Sequence, residues 1–440
     1  MTMIAQMHHP ISARDRLEQC LARIADPSGE GARACLTVYA PAARAAADAS
    51  DARRRSGRAL GPLDGTVVSI KDLFDVAGEV TRAGSKVLAA EASPAATDAP
   101  VVARLRAAGA VIVAKTNMTE FAFSGVGANP HYGTPANPAD RARIPGGSTS
   151  GGGVAVADRM CDIAIGTDTG GSTRIPAALC GIVGFKPSQS RIPRDGVFPL
   201  SFTLDSVGPM ARTVADCAAA DAVLAGEAAA PIAPASLSGL KLGVAQGLPL
   251  EALDDSVEKN FAQALSMIQT AGARLSEQKL PLLDDMIRIN AKAGFAPAEA
   301  YSIHRERLQR SGSGVDPTVR ARIERGGKVA AADYIAALQE RARLVRAMDA
   351  ALSDLDALVM PTTPIVAPTI AEVADPAIFA ARNAALLRNT AIANAFDLCA
   401  ISLPLPVHAS LPVGLMLVAR NRHDHRLFQI AAGLERLFAT

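Results

Sequence analysis

Two glycine-rich segments hold serines where a hydroxyl could become a nucleophile. The first is Gly146-Gly147-Ser148-Thr149-Ser150-Gly151-Gly152. The second is Gly166-Thr167-Asp168-Thr169-Gly170-Gly171-Ser172-Thr173-Arg174, which puts Ser148 and Ser172 24 residues apart. The second segment follows an apolar run, Cys161-Asp162-Ile163-Ala164-Ile165, and precedes a helical stretch from Ile175. That pattern is a strand–turn–helix junction, which presents backbone N–H groups and favours negative charge. A serine hydroxyl beside such donors can attack a carbonyl while they hold the oxyanion that forms. The serine then needs a base. Lys71 ends the apolar run Val67-Val68-Ser69-Ile70, and an ammonium is costly to bury unpaired. Desolvation lowers its pKa and frees a neutral amine near neutral pH. Ser148 could pass the proton from Ser172 to Lys71, a Ser–Ser–Lys relay in place of Ser–His–Asp. The chemistry implied is acyl transfer.

The elements that would position these residues alternate between strand and helix. Ser12 followed by Asp15, with Leu17, Leu21 and Ile24 on one face, predicts a capped amphipathic helix, and Pro41 to about Arg55 a second, Ala-rich one. A strand at 67–70 delivers Lys71. Asp98 to Gly109 predicts a helix, and Val111-Ile112-Val113-Ala114 a strand delivering Lys115. A small-residue helix (Val154 to Met160), a strand (161–165) and a helix (175–180) repeat the pattern. Residues 232–236 predict a loop, Lys241–Ala245 a strand, and 253–272 and 328–352 helices. Further strands at 357–360, 400–403 and 413–418 precede a helix at 424–438. Such alternation predicts an α/β fold, with a sheet covered on both faces.

The same residues carry a family likeness. Val68-Ser69-Ile70-Lys71-Asp72 and the two serine segments, taken with Ile175-Pro176-Ala177, resemble the amidase signature family. Supporting matches are Lys115-Thr116-Asn117-Met118-Thr119-Glu120-Phe121-Ala122, Gly184-Phe185-Lys186-Pro187, Pro361-Thr362-Thr363-Pro364 and Leu411-Pro412-Val413-Gly414-Leu415. The likeness is strong over about residues 60–215 and weaker toward the C-terminus. It implies a single amidase-signature domain over 1–440, with a mixed central sheet covered by helices on both faces. We divide it into a signature core at 55–215, a helical insertion at 250–355, and C-terminal strands and helix at 356–440 that complete the sheet.

By that resemblance Ser172 is the acylated nucleophile, Lys71 the base, and Ser148 the bridging serine, held by a cis Gly147–Ser148 bond. Ser150 is a second candidate for the bridge, and Ser148 the better match. The amides of Thr169, Gly170, Gly171 and Ser172 form the oxyanion hole. Ala122, Phe123, Ser124, Gly125 and Asn129 lie near the acyl group, and Phe121, Phe123 and Met118 suggest an apolar wall. Ser150, Asp168 and Arg174 are supports, the last two as a charge pair bracing the loop. Lys115 is structural. The resemblance implies no metal or organic cofactor and a small-molecule amide as partner, with a homodimer left open.

Other readings weigh less. Neither glycine loop closes in Gly-Lys-Ser/Thr or fits Gly-x-Gly-x-x-Gly, against a phosphate site. The Gly-x-Ser-x-Gly elbow is absent. His423 and His425 read as a solvated face, and Cys161 and Cys180 as core. A net charge of +2 gives no case for nucleic acid or membrane surface. No run reaches the roughly 18 apolar residues of a membrane span, and Met1 to Cys20 lacks an apolar signal core. Six dispersed cysteines suggest reduced thiols and a cytoplasmic protein. Within the resemblance, Arg191–Ser201 and Pro297–Arg305 look like stand-alone amidases, including indoleacetamide hydrolases. The rival is the glutaminase subunit of the tRNA-dependent amidotransferase, for which the chain looks short. A non-catalytic binding protein of the same fold is the third reading.

Overall fold

The computed structural model describes residues 11–406 and 411–439; the first ten residues of the N-terminal stretch read above for a signal segment lie outside them. Eleven strands form one sheet: β1 (Cys35–Val38), β2 (Val67–Lys71), β3 (Val111–Thr116), β4 (Ile163–Asp168), β5 (Val183–Lys186), β6 (Ser206–Ala211), β7 (Lys241–Ala245), β8 (Arg274–Gln278), β9 (Ala357–Pro361), β10 (Cys399–Pro404) and β11 (Gly414–Ala419). Their order is β1-β3-β2-β4-β6-β5-β10-β11-β9-β7-β8. Pairing is parallel for β3–β2–β4 and β9–β7–β8, and antiparallel elsewhere, so the sheet is mixed.

Side-chain alternation sorts the central strands onto two faces. Val68, Ile70, Ile112, Ile163 and Ile165 join one core, with Leu105, Leu224, Leu427 and Phe428 from the helices over that face. Val67, Val111, Val113 and Ala164 join the other, under Leu17, Leu21, Ile24, Ala43, Ala47 and Val154. Both faces are therefore covered, as an α/β sheet with buried parallel strands requires. Among the described residues no helix is long and apolar enough to cross a membrane.

The N-terminal helix forms as its sequence predicts, over Ala13–Ala25, with the Ser12 side chain accepting from the Asp15 amide. Elsewhere the boundaries move. The helix expected from Val154 begins at Ser150 and runs to Ala157, so the first glycine segment is half loop and half helix. A Cβ at Gly151 would lie 2.4 Å from the Ala34 carbonyl oxygen and 2.6 Å from the Asn117 nitrogen, which is why glycine is tolerated inside that helix. The strand expected at 161–165 is Ile163–Asp168 and carries Gly166, Thr167 and Asp168 into the sheet. The 250–355 insertion is not all helix, because its Arg274–Gln278 segment pairs with β7 as the edge strand β8.

One unpredicted element matters for the site: a 20-residue helix, Pro376–Ala395. Asp375 caps it, accepting from the Ala377 and Ile378 amides at 2.9 Å each, with Pro376 in the first turn. Asp375→Ala should lower unfolding stability by about 1 kcal/mol, read as a shifted urea midpoint at unchanged slope.

Candidate active site

The site gathers at the C-terminal ends of β2 and β4, which are hydrogen-bonded neighbours. Lys71 is the last residue of β2 and is wholly buried. Its Nζ donates to Ser148 Oγ at 2.8 Å and to Thr167 Oγ1 at 2.9 Å. Burial pushes the amine down to about 7, against the pull of the Asp205 and Asp168 carboxylates. Asp205 is held by hydrogen bonds from Thr169 Oγ1 (2.6 Å), the Leu200 amide (2.9 Å) and the Ser201 amide (3.0 Å). Burial raises its pKa, with these bonds acting in opposition.

Ser148 follows a cis peptide bond from Gly147. The Gly147 amide donates to the Gly125 carbonyl at 2.8 Å, the Thr119 amide to the Ser148 carbonyl at 3.1 Å, and the Thr149 amide to the Ser172 carbonyl at 3.3 Å. The last bond ties the two serine loops together. Of the two serines considered for the bridge, Ser148 is the one bonded to Lys71. Ser150 opens the helix, and its buried Oγ has no hydrogen-bond partner among the described residues.

Asp168 organises the second loop. Its carboxylate accepts from the Gly171 amide (2.8 Å), the Thr173 amide (3.2 Å) and Thr173 Oγ1 (2.9 Å). It also accepts from Arg174 Nε (3.0 Å), Arg174 Nη2 (2.8 Å) and Asn394 Nδ2 (2.9 Å). Burial opposes the charge, yet the Arg174 guanidinium and the Asn394 amide hold this carboxyl well below its ordinary range. Arg174, also wholly buried, donates further to the Thr390 carbonyl and to Asn394 Oδ1. The pair expected from sequence is present, and Asn394 and Thr390 extend it. Thr390 Oγ1 additionally donates to the Gly170 carbonyl at 2.6 Å. Gly171 has φ +136°, and a Cβ there would meet Thr390 Oγ1 at 2.2 Å, so only glycine fits. Because the Gly171 amide is directed at Asp168, it departs from the four-amide oxyanion hole expected above.

Ser172 opens onto a cavity of about 580 Å³. Ala122, Phe123 and Ser124 line it, as does Thr169. Gly125 and Asn129, expected near the acyl group, do not. Gly125 donates to Asn383 Oδ1 at 2.8 Å, and Asn129 braces its own loop. The Asn129 Nδ2 donates to the Gly84 and Met118 carbonyls at 2.9 and 2.7 Å, and Oδ1 accepts from the His131 amide at 2.8 Å. Buried with all these bonds internal, Asn129 is a loop support. Of the expected apolar wall only Phe123 reaches the cavity. Met118 and Phe121 lie in the core, where the Phe121 ring packs against His304, centroids 4.1 Å apart and tilted by 39°. Lys115 is buried beside Glu79 at 3.4 Å, away from the serines. All six cysteines are free and buried.

Sequence reasoning missed Thr167, Asp205, Asn383, Thr390 and Asn394. Thr167 carried a signal, since it sits in the second serine segment. The two asparagines and Thr390 lie on the unpredicted helix, where the pair Asp375-Pro376 was the available start signal. Arg174→Met should destabilise the fold by about 3–5 kcal/mol, because it strands a buried carboxylate. Thermal unfolding of the purified variant reads this directly, and a shift of under a few degrees would count against it.

A family model described as Amidase matches residues 15–428. The chain is 38% identical over 403 residues to 2-amino-5-chloromuconic acid deaminase of Comamonas testosteroni, covering 90% of this chain and 86% of that one. It is 36% identical to a glutamyl-tRNA(Gln) amidotransferase subunit of Chloroflexus aurantiacus, over 97% of this chain and 93% of that one. Among solved structures, one described as an amidase superposes with a TM-score of 0.87 at 32% identity, over 98% of this chain and 97% of that one. The native peptide amidase of Stenotrophomonas maltophilia gives 0.80 at 28% identity, over 98% and 94%.

Proposed function

The chain belongs to the amidase family, a hydrolase family acting on carbon–nitrogen bonds, and we propose that it cleaves a small linear amide to acid and ammonia or amine through an acyl-enzyme on Ser172. The observation that carries the reading is the buried Lys71 amine, 2.8 Å from Ser148 Oγ, behind a nucleophile-bearing loop that opens on a cavity.

The chemistry follows from the protonation states. A neutral amine keeps one lone pair beside its two N–H donors. Turning the Ser148 hydrogen toward Lys71 makes that lone pair an acceptor and frees Ser148 Oγ to take the Ser172 proton. Ser172 Oγ then bonds to the amide carbon, and the carbonyl oxygen gains the charge. The amides of the Thr169–Ser172 turn other than that of Gly171, which is committed to Asp168, would stabilise that charge. As the C–N bond breaks, the proton returns through Ser148 to the leaving nitrogen. Water, deprotonated by the same relay, attacks the ester carbon and releases the acid.

A second reading is favoured by the relatives from glutamyl-tRNA(Gln) amidotransferases: a glutaminase that works within a complex. The chain covers 93% of the length of one of them, so its size does not separate the two readings. Ammonia release from a panel of aliphatic, aryl and arylacetic amides and glutamine, by the purified chain alone, does separate them. The unbridged cysteines fit a reducing compartment, and we place the protein in the cytoplasm.

Ser172→Ala should abolish turnover and leave the circular-dichroism spectrum unchanged; retained activity would remove Ser172 from its role. The pH profile is a second check. Lys71 works as the neutral base, so kcat/KM should rise as pH rises through about 7 and level off above it. A profile flat from about pH 5.5 to about 8.5 would count against Lys71 as the base.

A further inference from the structure

The cavity before Ser172 is unbalanced in charge. Lys292, Arg322 and Arg325 line it, and among the described residues no aspartate or glutamate does. Lys292 is already matched, by Asp333 at 2.9 Å. The two arginines are not. Arg322 Nε is buried with no hydrogen-bond partner, and neither arginine side chain has an acidic partner among the described residues. Both belong to the helix Pro317–Gly326, three residues apart and hence on neighbouring positions of one face. The Arg322 guanidinium carbon sits over the Phe123 ring, 4.8 Å from its centroid. That contact positions it on the cavity wall. Burial, aided by repulsion from Arg325, pushes Arg322 down to about 10.

Two adjacent guanidinium groups without a counter-charge, one of them desolvated, cost the fold stability. They do so beside the cavity that Ser172 opens on. A ligand that brought a carboxylate would relieve the repulsion and supply Arg322 with a planar, bidentate acceptor. We propose that the site selects amides whose acyl chain ends in a carboxylate, the monoamides of dicarboxylic acids, with Arg322 and Arg325 as the seat of the anionic end. The proposal rests on amide hydrolysis at Ser172. It also bears on glutamine, because an α-ammonium entering this cavity meets cationic side chains and no carboxylate. A plain monoamide such as glutaramate therefore fits better than a free amino-acid amide.

Ammonia release from glutaramate, pentanamide and glutamine tests this. Glutaramate should exceed both others in kcat/KM by about tenfold or more, the worth of one charge-assisted contact. In Arg322→Gln and in Arg325→Gln the glutaramate-to-pentanamide ratio should fall by about ten- to a hundredfold, chiefly through KM. Arg325 is the more exposed of the two, so its variant keeps the test valid if Arg322→Gln disturbs Phe123. Calorimetric titration of glutarate reads the seat without turnover: binding to the wild-type chain, weakened by salt, should be lost in Arg322→Gln. Equal kcat/KM for glutaramate and pentanamide, unmoved by either variant, would overturn the seat and leave the amidase reading standing. Preference for glutamine over glutaramate would overturn the monoamide assignment. Glutarate binding lost in Arg322→Gln, with no ammonia from any amide, would support the seat and sink the amidase reading.

Discussion

A single carboxylate, that of Asp168, holds the site together. It ends β4, turns the Ser172 loop through the Gly171 and Thr173 amides, and anchors Arg174 and Asn394. A charge so buried persists only when nearly all of its acceptor capacity is used. Here six donors meet the two oxygens, five from the Gly171–Arg174 turn and one from Asn394. The geometry of the loop is therefore over-determined. Ser172 is placed by the same bonds that make burying Asp168 tolerable, so stability and preorganisation come from one network.

Lys71 is governed by the opposite logic. Asp168 is kept charged by its partners, whereas Lys71 is pushed toward neutrality by burial, its amine hydrogen-bonded to two hydroxyls. Two buried charges at neighbouring strand ends are thus driven in contrary directions. The difference lies in what each one touches: a guanidinium for the acid, serine and threonine oxygens for the amine. Thr167 joins the two, since it lies in β4 next to Asp168 and accepts from Lys71.

Much of this was legible in the sequence, and the exceptions have physical causes. β2, β3, β7, β9, β10 and β11 are short apolar runs, and their shortness and flanking turn residues mark them as buried strands. β6 was hidden because Gly208 and Pro209 interrupt it, and both residues usually argue against a central strand. Its ladder to β5 covers only Met210 and Ala211, so that pairing stops short of Pro209. A Cβ at Gly208 would lie 2.2 Å from the Phe185 carbonyl oxygen, which explains the glycine. β8, Arg274-Leu275-Ser276-Glu277-Gln278, is polar because it is an exposed edge. The Pro376–Ala395 helix escaped notice because it buries Asn383, Asn389, Thr390 and Asn394, which blurs the apolar stripe. Motif and residue type located Lys71, Ser148 and Ser172. They could not tell Asn129, a loop brace, from a pocket residue, since only the direction of its hydrogen bonds distinguishes them.

The cavity wall has a bearing on how such an enzyme changes. Lys71, Ser148 and Ser172 all come from the first half of the chain. Much of the wall facing them is built by residues such as Asn290, Arg322, Val329, Asn383 and Leu387, contributed more than a hundred positions later. That part of the wall and the three side chains facing it are thereby encoded in separate stretches of one polypeptide. Substitutions in the later stretch can remodel what is admitted while Lys71, Ser148 and Ser172 keep their places, so one arrangement can be inherited whole by chains with different diets.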